Sequence, residues 1–312
     1  MKVVVCYLIM CHNNPKQVKR IIEALQAEDA HFVVHIDKKS KYDFSGIVNL
    51  QNTYVLPNRI SVVWGAISMI DAIISLSEYA LRRIQEVSHY CLISGADFPV
   101  KSHIYIKEYL SEHKGIDFIT GIPLPSPDTK WIEGGRRRIY CYNVYCNSHS
   151  SATIEPRKFS YQNLRQIVKI AVTNFRQLKL GLKILLTYKK RELPNDMKMY
   201  GKEVWWILTK ETLENVLNWN RQHPEYREYH KYTQITDEIY INTIVWNIAD
   251  NPCNDMKRYV SWEKQTDPSP RWLEFPKDNK LVLNCISNPD YFFVRKVQDE
   301  KLIDFIEEHI GR

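Results

Sequence analysis

The sequence lacks the short motifs that mark the commonest metal, nucleotide and hydrolase sites. It contains no C-x-x-C pair, no H-E-x-x-H zinc motif, no G-x-S-x-G elbow and no phosphate-binding P-loop. No G-x-G-x-x-G follows the first predicted strand, which disfavours a dinucleotide site of Rossmann type. The residues therefore give no support to a zinc-motif protein, a hydrolase with a serine elbow, an NTPase or a dinucleotide enzyme.

The N-terminal apolar run is also too short to span a membrane. His12 and Pro15 interrupt it, and no small-residue cleavage site of a signal peptide follows. Two of the seven cysteines, Cys6 and Cys91, lie in apolar runs, which is typical of buried free thiols in a reducing compartment. We therefore expect a cytoplasmic protein without a disulfide framework.

The remaining composition is that of a folded soluble protein, with 44% hydrophobic and 25% charged residues among 312. Val3–Met10 is a continuous apolar run, which is typical of a strand buried on both faces. Pro15 opens a helix with apolar residues at helical spacing, and His31–Asp37 forms the next strand. This order predicts a βαβ unit and hence a parallel sheet.

Strands and helices alternate further along the chain. The sequence predicts strands at Tyr54–Leu56, His89–Ser94, Ile116–Thr120 and Val204–Thr209, and helices at Ile67–Leu81, Lys210–Asn218 and Asp299–His309. In open α/β sheets, ligands bind at the carboxyl ends of the strands. We expect His12, His35 and Asp37 at that edge, and Asp97 on a stiff turn after a strand, because Pro99 restricts the residue before it.

Basic charge is concentrated in one segment, residues 157–191, which has ten Lys or Arg and no Asp or Glu. Without it, 33 basic and 36 acidic residues remain, so the net charge of +7 becomes −3. A helical wheel separates most of its basic from most of its apolar residues, with a bend expected at Gly181. We predict a basic amphipathic helical insert that either packs on the domain or lies on an anionic membrane surface. Because the positive charge is confined to this one segment, the sequence does not favour a general nucleic-acid binder.

Glu238 is a candidate general base, because it lies where a loop enters a predicted helix. The structural alternative is that Thr236, Asp237 and Glu238 form an N-cap with acidic first-turn residues. Candidate cations for an anionic ligand are Arg258 and the pair Arg295-Lys296 within the apolar run YFFVRKV. The alternative for this pair is two surface side chains whose charged ends reach solvent.

Seven segments, in this order, resemble family 14 of the glycosyltransferases, which contains core-2/I-branching β-1,6-N-acetylglucosaminyltransferases and peptide O-xylosyltransferases. They are HIDKKS (35–40), VVWGAISM (62–69), LISGADFPVKS (92–102), YGKEVWWILTKE (200–211), TDEIYINTI (236–244), RYVSW (258–262) and FFVRKV (292–297). The match is poorest from about residue 125 to residue 195. The chain resembles a bacterial, soluble-domain relative more than the membrane-anchored animal members.

The resemblance implies one GT-A-like domain over residues 1–312, with a Rossmann-type mixed sheet flanked by helices and the basic insert at 157–191. It implies a catalytic base at Glu238, diphosphate-binding cations at Arg258, Arg295 and Lys296, and nucleotide contacts at His35 and Asp37, with His12 nearby. Trp64 and Asp97 are expected to line the cleft. Glu203 and Trp205 fall in the acceptor-side segment, although the spelling YGKEVWW departs from the family's glycine-serine pattern.

The implied reaction is an inverting transfer from a UDP-sugar to a glycan hydroxyl. No D-x-D occurs in the sequence, and the resemblance implies that no metal or other cofactor is needed. We expect UDP-N-acetylglucosamine as the donor, with UDP-xylose as the alternative and a non-catalytic nucleotide- or glycan-binding relative as a further one. A lipid-linked or surface glycan acceptor would suit docking at the inner membrane face through residues 157–191. No nucleic-acid partner is expected.

Overall fold

The computed structural model describes residues 3–147, 150–264, 267 and 269–310. The strands are β1 (Val5–Cys11), β2 (Ala30–Ile36), β3 (Thr53–Val55), β4 (His89–Ser94), β5 (Asp97–Pro99), β6 (Asp117–Ile119), β7 (Ile122–Pro123), β8 (Tyr142–Asn147), β9 (Ser150–Ile154), β10 (Tyr200–Gly201), β11 (Trp206–Thr209), β12 (Pro252–Cys253), β13 (Arg258–Val260) and β14 (Phe293–Arg295). The predicted domain also includes residues 1, 2, 311 and 312, which lie outside the described residues.

The α-helices are α1 (Pro15–Ala24), α2 (Ser45–Val48), α3 (Ile67–Arg83), α4 (His103–Glu112), α5 (Arg136–Tyr140), α6 (Tyr161–Thr173), α7 (Leu178–Thr187), α8 (Lys210–Gln222), α9 (Pro224–His230), α10 (Tyr240–Ile248), α11 (Asn279–Ser287) and α12 (Glu300–Ile310). Pro15 begins α1 as predicted, and the Asn14 side chain caps the helix by accepting a hydrogen bond from the Gln17 backbone N–H at 3.2 Å.

The main sheet has seven strands in the order β12-β6-β11-β4-β1-β2-β3. Neighbouring strands are parallel except at β11, which is antiparallel to both β4 and β6. The apolar run in β1 places it at the interior of this sheet, where alternate residues such as Tyr7 and Leu8 enter hydrophobic clusters on opposite faces. The predicted α/β class, with a mixed sheet flanked by helices, is confirmed.

Helices cover both faces of the main sheet. Apolar residues of α1, α4, α11 and α12 pack in one cluster, and those of α3, α8 and α10 pack in the other. The register places Met10 of β1 opposite His35 on one side and Ser94 on the other. The carboxyl ends of these three parallel strands therefore meet at one edge.

A second sheet of three short strands, in the order β13-β14-β5, joins distant parts of the chain. β13 and β14 are parallel, whereas β14 and β5 are antiparallel with Arg295 directly opposite Asp97. Arg258 is the first residue of β13. The pairing brings residues 97, 258 and 295 together beside the edge where β4 ends.

The basic segment forms two helices, so the expectation of one helix bent at Gly181 is wrong. The break between α6 and α7 lies at Asn174, whose side-chain amide donates to the Cys146 carbonyl at 3.0 Å. Gly181 lies inside α7, where it allows close packing: a Cβ there would lie 2.9 Å from the Ile170 side chain. The two helices share a small core of their own with the β8–β9 hairpin.

Candidate active site

Two arginines share one buried carboxylate at the three-stranded sheet. Asp97 is completely buried, and its oxygens lie 3.0 Å from Arg258 Nε and 3.5 Å from Arg295 Nη1. The Ser94 N–H and hydroxyl, at the end of β4, both donate to the same carboxylate. The sequence places Asp97 on the cleft wall, but the structure places it beneath the arginines, because β5 is an edge strand whose partner carries Arg295.

Trp205 supports the two arginines from another direction. Its ring centroid lies 4.7 Å from the Arg258 guanidinium carbon and 4.4 Å from that of Arg295. The ring is buried, so it packs on the cations and does not present an open face to a sugar. The neighbouring Trp206 is fully buried in the main core.

These cations are crowded and short of counter-charge. Burial lowers the pKa of Arg258, and Asp97 raises it in part. Arg258 Nη1 is buried without a hydrogen-bond partner in the described residues. Burial, followed by repulsion from Arg295, lowers the pKa of Lys296. Among the described residues, Asp97 is the one carboxylate within ion-pair distance of Arg258 or Arg295, and an anion placed there would add a partner for the unpaired donor.

Three carboxyl groups lie within electrostatic reach of one another next to this positive site. Burial, then repulsion from Glu238, raises the pKa of Glu203 to about 7 and that of Asp237 to about 7. Arg295 lowers both pKa values in part, which places it close to both groups. The cation cluster and the carboxyl cluster are therefore neighbours in one site.

Glu238 does not serve as a helix cap. Thr236–Glu238 forms a 3-10 turn, α10 begins at Tyr240, and none of the described side chains caps that helix. The Thr236 hydroxyl donates to the Thr233 carbonyl at 2.9 Å instead. The capping alternative therefore has no support in the geometry. The Glu238 side chain keeps 24% of its surface exposed at the entry to the helix, where a substrate can reach it.

Arg138, which the sequence analysis missed, holds the Glu238 carboxylate. Its Nη1 donates to Glu238 Oε2 at 2.6 Å, and its guanidinium carbon lies 3.9 Å from the centroid of the Trp131 ring. Burial raises the pKa of Glu238, and the charge and hydrogen bond of Arg138 lower it. The run Arg136-Arg137-Arg138 was the only local signal, and it gave no indication of a partner one hundred residues away.

The loop of Glu238 fits closely against residues 201–203. The Lys202 N–H donates to the Glu238 carbonyl at 3.0 Å, and a Cβ at Gly201 would lie 2.8 Å from that carbonyl oxygen. Only a glycine fits at position 201 without moving the loop. This explains why Glu203, two residues later, lies next to Glu238.

Trp64 lies beside the same loop with an open ring. Gly65, which follows it, accepts a hydrogen bond from the Thr236 N–H at 2.8 Å and has a φ of +69°. The Trp64 side chain is 45% exposed. It is therefore the aromatic residue of the predicted site that remains free to stack on a sugar.

The predicted nucleotide contacts lie at the carboxyl ends of β1 and β2. His12 is exposed, and Asp37 is nearly buried with an oxygen that accepts from the Lys39 N–H at 2.8 Å. His35 is buried, and its Nε2 accepts from the Ile60 N–H at 3.1 Å. His35 therefore holds the 57–62 loop, and Asp37 fixes the turn at the end of β2.

The described residues contain no group of three or more His, Cys, Asp or Glu side chains placed to hold a metal ion. In the same part of the chain, every helix is too short or too polar to cross a bilayer. All seven cysteines are free thiols, and six of them are buried.

Comparison with known proteins gives a family match over most of the chain. A family model described as Core-2/I-Branching enzyme matches residues 5–281. A xylosyltransferase of Ciona intestinalis is 21% identical over 269 residues, which cover 83% of this chain and 27% of the relative. Xylosyltransferase 2 of Rattus norvegicus is 20% identical over 332 residues, which cover 98% and 33% respectively.

This chain therefore spans about a third or less of the length of these curated relatives. Among solved structures, mouse xyloside xylosyltransferase 1 in its apo form aligns over 95% of this chain and 97% of its own. The identity is 9% and the TM-score is 0.36.

Proposed function

Because this chain belongs to the Core-2/I-branching enzyme family, we propose that it transfers a sugar from a UDP-sugar to a glycan hydroxyl, with inversion and without a metal ion. The family match confirms the resemblance to glycosyltransferase family 14 that the sequence motifs indicated. The observation that carries the proposal is the proximity of two charged clusters. Asp97, Arg258 and Arg295 are gathered by the three-stranded sheet, and both arginines lie close enough to Glu203 to lower the pKa of its carboxyl group in part.

The carboxyl cluster supplies the base in this proposal. The acceptor hydroxyl attacks the anomeric carbon on the face opposite the diphosphate, and its proton passes to Glu238 as the new C–O bond forms. The bond from that carbon to the β-phosphate oxygen breaks in the same step, so UDP leaves with the electron pair and the configuration inverts. Arg138 fixes the direction of the Glu238 carboxylate, and Trp64 offers a stacking face for the acceptor sugar.

The cation cluster stabilises the departing UDP. Negative charge grows on the β-phosphate in the transition state, and Arg258, Arg295 and Lys296 are fixed donors for it in a partly buried site. Asp97, Ser94 and Trp205 hold the two arginines in place, so little reorganisation is needed during the reaction. We propose that these cations take the role that a bound metal ion has in other sugar-nucleotide enzymes.

N-acetylglucosamine is the proposed sugar, on the motif resemblance to the N-acetylglucosaminyltransferases of family 14, and xylose is the alternative that the named relatives favour. His12 and Asp37 are proposed to contact the nucleotide directly, while His35 acts through the loop that it holds. We propose a cytoplasmic location, because free, mostly buried thiols suit a reducing compartment.

The test is donor turnover by wild type and Glu238→Gln, with UDP release measured for UDP-N-acetylglucosamine and UDP-xylose over a panel of glycan acceptors. We expect the substitution to lower kcat by about 10²–10⁴-fold, because the amide cannot accept the proton. The affinity for UDP, measured by calorimetry, should stay within about threefold of wild type, since Glu238 does not contact the diphosphate in the proposal.

Glu108→Gln is the matched control, because Glu108 is exposed on α4, outside both clusters. It should leave kcat unchanged. Transfer that survives in Glu238→Gln would exclude Glu238 as the base. Tight UDP binding by wild type without any transfer would favour the non-catalytic relative.

A further inference from the structure

The two basic helices carry a concentration of exposed apolar side chains that the core does not use. Sixteen large apolar residues are exposed among the described residues, and eight of them lie between residues 159 and 186. They are Phe159, Tyr161, Leu164, Val168, Val172, Phe175, Leu182 and Leu186. We call this set the exposed apolar surface. Monomeric soluble proteins rarely leave so many large apolar residues together in water.

The exposed apolar surface is distinct from the face that packs on the protein. Ile167 and Ile170 of α6, and Ile184 and Leu185 of α7, form the buried core with the β8–β9 hairpin. Leu164, Val168 and Val172 follow at a spacing of four residues on another side of α6, and Leu182 and Leu186 do the same on α7. The structure thus contains both the packing face and a second, unpartnered apolar stripe.

Positive charge borders each stripe. Arg165 follows Leu164 on α6, while Lys179 and Lys183 lie beside Leu182 on α7, and all three are exposed. Arg176, in the turn between the helices, is exposed as well. Two other basic residues of the segment make hydrogen bonds within the protein. Arg191 is buried against backbone carbonyls, and Lys169 donates to the Ser151 carbonyl.

We propose that the exposed apolar surface docks on an anionic lipid bilayer. Apolar side chains flanked by Lys and Arg, with no acidic residue between 157 and 191, match an interface that combines an acyl region with anionic headgroups. A nucleic acid would complement the charge but would leave the aliphatic stripe in water. An interfacial helix needs no membrane-spanning length, so the short α6 and α7 suffice.

Docking would hold the candidate active site near the membrane, because the insert is bonded to loops of that site. Arg191, at the end of the insert, donates to the carbonyls of Tyr229 and Tyr232, just before the Glu238 turn. The Tyr145 hydroxyl of the hairpin donates to the Gly65 carbonyl, next to Trp64. The proposal goes beyond the transfer reaction and does not require it, but it fits a lipid-linked glycan acceptor at the same surface.

The test is flotation of the full chain with vesicles of phosphatidylcholine, with or without about 30% phosphatidylglycerol. Wild type should float with the anionic vesicles and stay in the lipid-free fraction with the neutral ones. A triple variant, Leu164→Ser, Val168→Ser and Val172→Ser, should bind about tenfold or more weakly. A fourfold variant, Arg165→Ser, Arg176→Ser, Lys179→Ser and Lys183→Ser, should lose about 100-fold or more. All substituted side chains are exposed, so circular dichroism should show the wild-type fold.

The matched control removes the same charge elsewhere, at the exposed residues Lys114, Lys277, Lys280 and Lys301, all changed to Ser. It should float like wild type. The proposal is overturned if wild type does not float, or if this control loses as much binding as the fourfold variant. It is also overturned if light scattering shows that the apolar surface joins two copies of the chain. UDP release in solution is measured separately, so a failure of docking leaves the transfer reaction untouched.

Discussion

At the scale of single residues, the site depends on how one carboxyl group is kept ready to accept a proton. Two effects on the pKa of Glu238 oppose each other. Burial of its carboxyl group raises the pKa, and the charge and hydrogen bond of Arg138 lower it. Burial, followed by repulsion from Glu238, raises the pKa of Glu203 and that of Asp237 to about 7, so protonation of these two neighbours changes the charge around Glu238 near neutral pH. A general base must be deprotonated to act. Because Arg138 favours the ionised form of Glu238, its removal should change the pH dependence of the reaction.

Arg138→Met should shift the acid limb of the kcat profile to higher pH. The arginine favours the ionised form of Glu238, so its removal raises the pKa of the base, and more of the enzyme is protonated at a given pH below neutrality. At the low-pH end, kcat should fall about tenfold or more, with a smaller loss at high pH. Initial rates at saturating donor, measured across the pH range, provide the check.

Two variants make the role of Arg138 specific. Arg138→Lys keeps the positive charge and should move the limb part of the way back. Arg136→Met changes an exposed residue of the same helix and should leave the profile unchanged. An equal loss at every pH in Arg138→Met, with no shift of the limb, would mean that Arg138 supports only the local fold.

At the scale of the elements, the three-stranded sheet sets the geometry of the cations. Asp97, on β5, is the shared counter-charge of Arg258 on β13 and Arg295 on β14. Asp97→Asn should destabilise the protein by about 3–5 kcal/mol, because it leaves two partly or fully buried guanidinium groups without their carboxylate. Urea denaturation at neutral pH measures the change in the free energy of unfolding.

A double-mutant cycle separates this ion pair from a general packing defect. If the loss arises from unpaired charge, Arg258→Met should offset part of the effect of Asp97→Asn, with a coupling energy above about 1 kcal/mol. Asp304→Asn is the control, because Asp304 is exposed, its partner Arg20 also pairs with Glu307, and such exposed pairs contribute at most about 1 kcal/mol. Strictly additive effects at 97 and 258 would argue against the shared counter-charge.

The sequence predicts elements well where the signal is local. The long apolar runs gave β1, β2 and β4 within one or two residues, and helical spacing gave α1, α3 and α12. The three-stranded sheet could not be predicted, because each of its strands has three residues and their partners are far apart in sequence. The helix break at Asn174 was not predicted for a similar reason, because its side chain donates to the carbonyl of Cys146, which is distant in sequence.

The same limit applies to the site. Glu238, Arg258 and Arg295 were predicted from chain position and from the family resemblance, and the structure places them in one region of the fold. The buried location of Asp97 and Trp205 depends on long-range pairing, and Arg138 depends on a contact that no local pattern encodes. Sequence reasoning thus named the charged groups of the candidate site, but it gave Asp97 and Trp205 other positions and missed Arg138.

At the scale of the whole molecule, positive charge is concentrated in two separate regions, for which we propose different anionic partners. Outside residues 157–191 the chain has a net charge of −3, so the cation cluster at 258, 295 and 296 is a local positive site in an otherwise slightly acidic body. The basic insert is a separate region with its own small core. A ligand bound at the cluster should therefore stabilise the whole fold independently of the insert.

UDP at about 100 times its Kd should stabilise the native state by about 2.7 kcal/mol and raise Tm by about 5 °C, if it binds only the folded chain. Because the proposed counter-charges are side chains, the shift should be the same in excess chelator and in Mn²⁺. Arg258→Met should reduce it to near zero, whereas Arg82→Met, an exposed residue of α3, should not change it. A shift that appears only with Mn²⁺ would show that a metal ion carries the diphosphate. If the cations at 258, 295 and 296 bind the diphosphate, the Tm shift should not depend on Mn²⁺, because their positive charge is part of the fold before the nucleotide binds.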